Sequence, residues 1–194
     1  YMESVKASFQ LLDSYKRFPS DSEFRREIIF KDVYNFRSRN YLLGSLENYK
    51  RKEFVNVDSY TIEHVLPQNQ NLSKEWKGML GENWKEVQDK YLHTLGNLTL
   101  TGYNSELSDK PFLEKKKMEG GFDDSPIRLN DFLRQNDEWN EEKIIERVKI
   151  LGDKASAIWK SPNLTSEELE FYIPEPKETK TYSLDNYEYL NEDM

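Results

Sequence analysis

Two stretches decide how this chain is read: Ile62-Glu63-His64-Val65-Leu66-Pro67-Gln68 and, further on, Leu95-Gly96-Asn97-Leu98-Thr99-Leu100-Thr101-Gly102. The first lies in a short extended segment, 58–67, which Pro67 must stop because proline has no amide hydrogen to give a ladder. The second is bounded by glycines, and its Leu/Thr alternation reads as a strand. Glu63 and His64 stand side by side in an otherwise apolar strand. One of them must therefore point inward, where an ionisable group needs a partner. A core histidine satisfied by a backbone carbonyl is the commonplace reading, and a working imidazole is the other.

Working outward, residues 73–92 form a helical insertion built on Trp76, Leu80, Trp84, Val87 and Tyr91, broken at Gly81. After the second strand, Tyr103 to Met118 reads as helix with a break near Pro111. Gly120-Gly121 ends it, and residues 127–160 return to helix with Ile144, Ile145, Val148, Leu151 and Ile158 on one apolar stripe. Upstream, residues 1–54 read as helices. Phe9, Leu12, Tyr15 and Phe18 are punctuated by Pro19-Ser20-Asp21; Phe24, Ile28, Ile29 and Val33 follow; then Arg37 to Lys52 carries Leu42, Leu46 and Tyr49. Core packing is the expected role of these side chains and of Trp76, Trp84, Trp139 and Trp159. The order strand, insertion, strand, helix predicts an α+β, mostly helical domain with a small central ββα unit. Its expected parts are an N-terminal helical region (1–57), a core with closing helices (58–160) and an acidic, partly extended tail (161–194).

Composition narrows the chemistry. Cysteine is absent, which removes disulfides and every thiolate metal site. No apolar run is long enough to span a bilayer and no basic-then-apolar leader opens the chain, so no membrane is expected and a cytoplasmic setting fits. The opening Tyr1-Met2-Glu3-Ser4 runs straight into helix, which reads like a piece of a longer protein. A net charge of −8 argues against a polyanion only until its distribution is read. Residues 161–194 hold nine acids and two lysines, so the remaining body is close to neutral, and residues 1–57 carry 11 basic against 8 acidic groups. Arg25, Arg26, Arg37, Arg39, Arg51 and Lys52 are expected mostly on solvated helix faces.

Imidazole chemistry is easily located, because His64 and His93 are the two histidines of the chain. A neutral imidazole near pH 7 can take a proton from water as the water attacks phosphorus. Glu and Asn oxygens suit a hard divalent cation, and Glu63, Asn97 and Asn104 all belong to the strand-strand-helix unit. Lys110, Lys115, Lys116 and Lys117 follow it; a solvated helix face is the ordinary reading, adopted for Lys116 and Lys117. For His93 a structural role is the commoner expectation, with phosphate contact the alternative.

The two motifs, with Asn104-Ser105-Glu106-Leu107-Ser108-Asp109-Lys110-Pro111-Phe112 and Lys115, resemble the HNH or His-Me finger nuclease signature. More closely, they resemble the C-terminal domain of GmrSD-type, modification-dependent restriction enzymes. Arg39-Asn40-Tyr41-Leu42-Leu43 with Glu47, Trp139 through Arg147, and Ile158-Trp159 extend the likeness over roughly residues 20–160. The resemblance implies a ββα-metal motif and hydrolysis of double-stranded DNA as nicks or breaks, in bacterial defence. It implies His64 as general base, Asn104 as metal ligand or phosphate-positioning group, Glu63 as metal ligand, and Mg²⁺ or Mn²⁺ as cofactor. Asn97 is counted with the catalytic group, though bracing the loop between the strands is its expected work. Lys110, Lys115 and His93 are the expected phosphate or DNA contacts.

Glu63 meets a geometric objection, since neighbours in a strand face opposite ways; both it and His64 reach one ion only if the strand bends before Pro67. Asp109 departs from the family, whose members often carry Asn there. No phosphate-cradling glycine loop is present, so the nucleotide-hydrolysing sensor domain that the resemblance implies would lie N-terminally in cis or on a partner subunit. A non-catalytic DNA- or protein-binding module on the same fold, and a nuclease acting on RNA, are the alternatives.

Overall fold

Strand β1 (Thr61–His64) pairs antiparallel with β2 (Leu98–Thr101), with Thr61 opposite Thr101 and His64 opposite Leu98. These strands form the one sheet in the computed structural model, which describes residues 1–173. The fold is α+β, with helices around a two-stranded antiparallel sheet. β2 is buried along its whole length. Leu98 and Leu100 join an apolar cluster with Leu43, Leu46, Val148 and Leu151. On the other face the Thr99 hydroxyl donates to Asn130 Oδ1 at 2.5 Å, and the Thr101 hydroxyl accepts from the Tyr103 amide at 3.0 Å. The alternation therefore separates a hydrocarbon face from a hydrogen-bonded one, not core from solvent.

The second strand was expected from Leu95, but Leu95–Asn97 is a single 3₁₀ turn. Two contacts explain it. A Cβ on Gly96 would fall 2.6 Å from the carbonyl of Ile144, so the turn packs backbone to backbone on the long helix. Arg147 of that helix also gathers the carbonyls of Leu95, Gly96 and Leu98 at 3.3, 2.6 and 2.8 Å, and that of Leu129 at 3.0 Å. Carbonyls converging on one guanidinium cannot all face a neighbouring strand. Burial holds Arg147 down to about 9.

Among the described residues, eight α-helices between residues 21 and 158 surround the hairpin. Upstream lie α2 (Asp21–Glu27), capped by Ser20 and Glu23, and α3 (Arg39–Asn48). Between the strands come α4 (Lys74–Leu80) and α5 (Trp84–Tyr91). The break at Gly81 has φ 82°, a conformation that favours glycine. After β2 come α6 (Asn104–Leu107) and α7 (Phe112–Lys117), separated by Ser108-Asp109-Lys110-Pro111. The long α9 (Glu141–Ile158) starts at the Asn140 cap, follows the short α8 (Asp131–Arg134), and buries Ile144, Val148 and Leu151 of the expected stripe together with Ala155, while Ile145 and Ile158 are half-buried. Trp76 and Trp139 are core anchors, Trp139 stacking on Phe112 at 5.6 Å, whereas Trp84 and Trp159 are half-buried.

Pro19–Ser161 forms one compact unit; Tyr1–Phe18 clusters with the segment from Pro162 onward as another. In the latter, α1 (Met2–Leu11) is joined to the downstream segment by the Leu164 amide donating to Gln10 Oε1 at 2.8 Å. Phe9 and Phe18 meet edge-on at 6.4 Å, but Tyr15 is 88% exposed and is no part of a core. The expected tail includes a short helix, α10 (Ser166–Glu170), started by a Thr165–Glu168 capping box. The rest of the acidic tail, from Pro174, lies outside the described residues. No helix among them is long and apolar enough to cross a membrane.

Candidate active site

β1 ends at His64, and the chain beyond it is held by Asn97. The Val65 amide donates to the Asn97 carbonyl at 2.9 Å and the Leu66 amide to Asn97 Oδ1 at 2.7 Å. Asn97 Nδ2 donates to the carbonyls of Leu66 and Leu92, both at 3.0 Å, and Trp139 Nε1 donates to Oδ1 at 3.1 Å. Asn97 is fully buried and its amide is occupied by these bonds, so it braces the turn and does not reach a substrate.

The turn leaves Glu63 and His64, 3% and 4% exposed, bordering the same cleft of about 440 Å³. Tyr34, Gln68, Asn69, Asn104 and Asp109 complete most of its rim. Both residues are still paired in the ladder, Glu63 opposite Thr99 and His64 opposite Leu98, and both border the cleft. A larger open groove of about 900 Å³ between α4 and α9 contains no histidine.

His64 Nε2 lies 3.1 Å from His93 Nδ1. The Tyr34 ring stands edge-on to His64 at 4.5 Å and stacks on His93 at 5.2 Å. Burial holds the His64 pKa down to about 3, helped by the neighbouring His93 and Lys115 and opposed by Asp32. The ring is thus neutral at physiological pH. Its Nδ1 has no hydrogen-bond partner among the described residues.

Glu63 Oε1 accepts from Lys115 Nζ at 2.5 Å. The same ammonium donates to the carbonyls of His64 at 3.0 Å and Val65 at 3.3 Å. Burial pushes the Glu63 carboxyl up, against the pull of Lys115, and pushes the Lys115 ammonium down. Lys115 is fully buried, so it clamps the strand end and presents no charge to solvent. Lys116, expected on a solvated face, is also buried: α7 turns it inward to Asp137 at 2.7 Å and the Asn136 carbonyl at 2.9 Å. Lys110 is partly exposed and paired with Glu114.

Asn104 opens α6 and donates from Nδ2 to the Ile62 carbonyl at 2.7 Å, which fixes its amide and leaves Oδ1 without a partner among the described residues. Asp109 is exposed at the rim, its Oδ2 accepting from Asn69 Nδ2 at 2.9 Å.

The structure thus gathers His64, Glu63 and Asn104 at one cleft. It sets His93 behind His64, Lys115 beneath the strand end and Asn97 in the turn. Tyr34 and Asn69 were not anticipated. Tyr34 reaches the site because the Val33 and Tyr34 amides donate to the His93 carbonyl at 2.8 and 3.2 Å, a long-range pairing with no local sequence signal.

The donor set fits a hard cation. Asn104, Glu63 and Asp109 carry side-chain oxygens and border one cleft, and they could serve an ion that keeps most of its waters. Among the described residues no group of three or more His, Asp or Glu forms a ready-made cage.

Residues 18–154 match the family model described as GmrSD restriction endonucleases, C-terminal domain. The chain belongs to this family, and so to the nuclease modules of restriction endonucleases. No curated protein and no solved structure matches it.

Proposed function

We propose that the cleft is the hydrolytic centre of a metal-dependent DNA endonuclease or nickase, with β1, β2 and α6 forming a ββα (His-Me finger) unit. The observation that carries this reading is a buried, neutral imidazole, His64, sharing one cleft with the fixed, unpartnered Oδ1 of Asn104. His64 takes the proton of the attacking water, and its unpartnered Nδ1 is the atom free to do so. Burial keeps the ring neutral at physiological pH, the state in which it can accept a proton. Asn104 and Glu63, with Asp109 at the rim, would hold Mg²⁺ or Mn²⁺, which when bound supplies positive charge to the phosphate and the leaving oxygen. Lys115 fixes the Glu63 carboxylate, and the Ile62 carbonyl fixes the Asn104 amide, so both are oriented before substrate arrives. Of the lysines expected to meet phosphate, Lys110 alone keeps a partly exposed ammonium.

The biological role is defence against phage or other foreign DNA within a modification-dependent restriction system. A nucleotide-hydrolysing sensor domain, in cis or on a partner subunit, would direct it. The test is cleavage of supercoiled plasmid by wild type and His64→Ala, with Mg²⁺, Mn²⁺ or EDTA. Metal-dependent nicked or linear product that disappears in His64→Ala is the expected result. Plasmid binding without cleavage under any metal, even with a sensor domain supplied, would instead mark a non-catalytic binding module.

A further inference from the structure

His93 lies behind His64, is half-buried, and is absent from the lining of the cleft. Its carbonyl is held by the Val33 and Tyr34 amides, and Asp32 and Thr94 form a β-bridge beside it. Its ring stacks on Tyr34 with an interplanar angle of 14°. Both backbone and ring are therefore fixed, and the ring nitrogen facing the site is Nδ1, 3.1 Å from His64 Nε2. One proton lies along this contact, and which ring owns it decides the tautomer of the other.

We infer that His93 is the positioning residue of His64: its Nδ1 accepts the Nε2–H of His64, holding that ring as the tautomer whose Nδ1 lone pair is free. This deepens the nuclease reading and rests on it for its catalytic meaning. The opposite arrangement, with His93 as donor, would put the His64 proton on Nδ1 and leave neither nitrogen able to act as base. His93 keeps its own proton on Nε2. The contact expected from the sequence was to phosphate; the geometry assigns His93 to the imidazole behind the cleft.

The experiment is ¹⁵N–¹H long-range correlation NMR on the full chain labelled at histidine, for wild type, His93→Ala and His93→Asn, with plasmid cleavage on the same samples. The chain has two histidines, so each variant at position 93 leaves one signal to assign. Wild type should show His64 neutral with its proton on Nε2. His93→Ala should give an averaged tautomer and a kcat lower by about 10–100-fold with KM for DNA little changed, as for groups that orient a working histidine. His93→Asn puts an amide oxygen near the position of Nδ1 and should restore both the tautomer and most of the rate. A His64 proton on Nδ1 in wild type, or a tautomer unmoved in His93→Ala, would overturn the assignment. A raised KM with unchanged kcat in His93→Ala would also overturn it, in favour of phosphate contact. The tautomer is read without cleavage, so a chain that never cuts DNA but keeps the His93-dependent tautomer sinks the nuclease reading alone.

Discussion

Lys115 Nζ and Glu63 Oε1 stand 2.5 Å apart with side chains 0% and 4% exposed, and the lysine also ties two carbonyls of the chain leaving β1. A buried pair of this kind adds little net stability over apolar residues of the same size, but removing one partner strands a charge. Lys115→Ala should therefore cost about 3–5 kcal/mol. Adding Glu63→Gln should recover part of that loss, because the stranded charge is gone. Urea denaturation of the two single variants and the double variant measures the coupling. Independent, additive losses would mean the pair does not act as a unit.

His64 provides a pH signature. Its folded value of about 3 lies below its ordinary 6.5. The stability gained by keeping the ring neutral is thus fully present above 6.5 and is lost as pH falls from there toward about 3. Wild type should lose up to about 1.4 kcal/mol per pH unit in that window beyond what His64→Gln loses. The same depression removes any inflection near 6.5 in the kcat/KM profile. A His64 ring titrating near 6.5 by NMR would show it to be far more basic than its burial implies.

Asn97→Ala is expected to act on stability before activity. It leaves the Leu66 amide and the indole of Trp139 without their acceptor, and the Leu66 and Leu92 carbonyls without their donor, inside the core. At about 1–3 kcal/mol for each buried group left unmet, a loss of at least about 3 kcal/mol follows. Chemical denaturation would read it. A fully stable but inactive Asn97→Ala would restore Asn97 to the catalytic group.

Asn104 separates position from ligation. Asn104→Ala loses both the bond to Ile62 and the cleft oxygen, and plasmid cleavage should fall about 100-fold or more. Asn104→Asp keeps an oxygen but places a carboxylate against the Ile62 carbonyl. It should bind Mn²⁺ in a calorimeter while cutting more slowly than wild type. Equal cleavage by all three proteins would remove Asn104 from the site.

Local patterns carried much of this far. Gly81 broke the insertion and the Ile144–Val148–Leu151 stripe marked the long helix, each through an effect confined to a few residues, whereas the first strand, expected over 58–67 up to Pro67, is only Thr61–His64. The cleft's main donors, His64, Glu63 and Asn104, were legible because they fall within motifs. What stayed hidden depends on distant partners. Leu95–Asn97 resembles strand until Arg147 claims its carbonyls. Lys115 resembles a phosphate contact and Lys116 a solvated face until α7 turns them toward Glu63 and Asp137. Tyr34 belongs to the site only through its pairing with His93.

The helices α4 and α5 sit between the two halves of the hairpin, so His64 meets Leu98 only after the intervening chain has closed a long loop. Closure of that kind costs entropy before the strand contacts repay it, and pairing of distant segments tends to come late in folding. The cleft needs β1, the His93 turn and the start of α6 all in place, and no two neighbouring elements make it alone. A partly folded or truncated chain would therefore lack the cleft altogether.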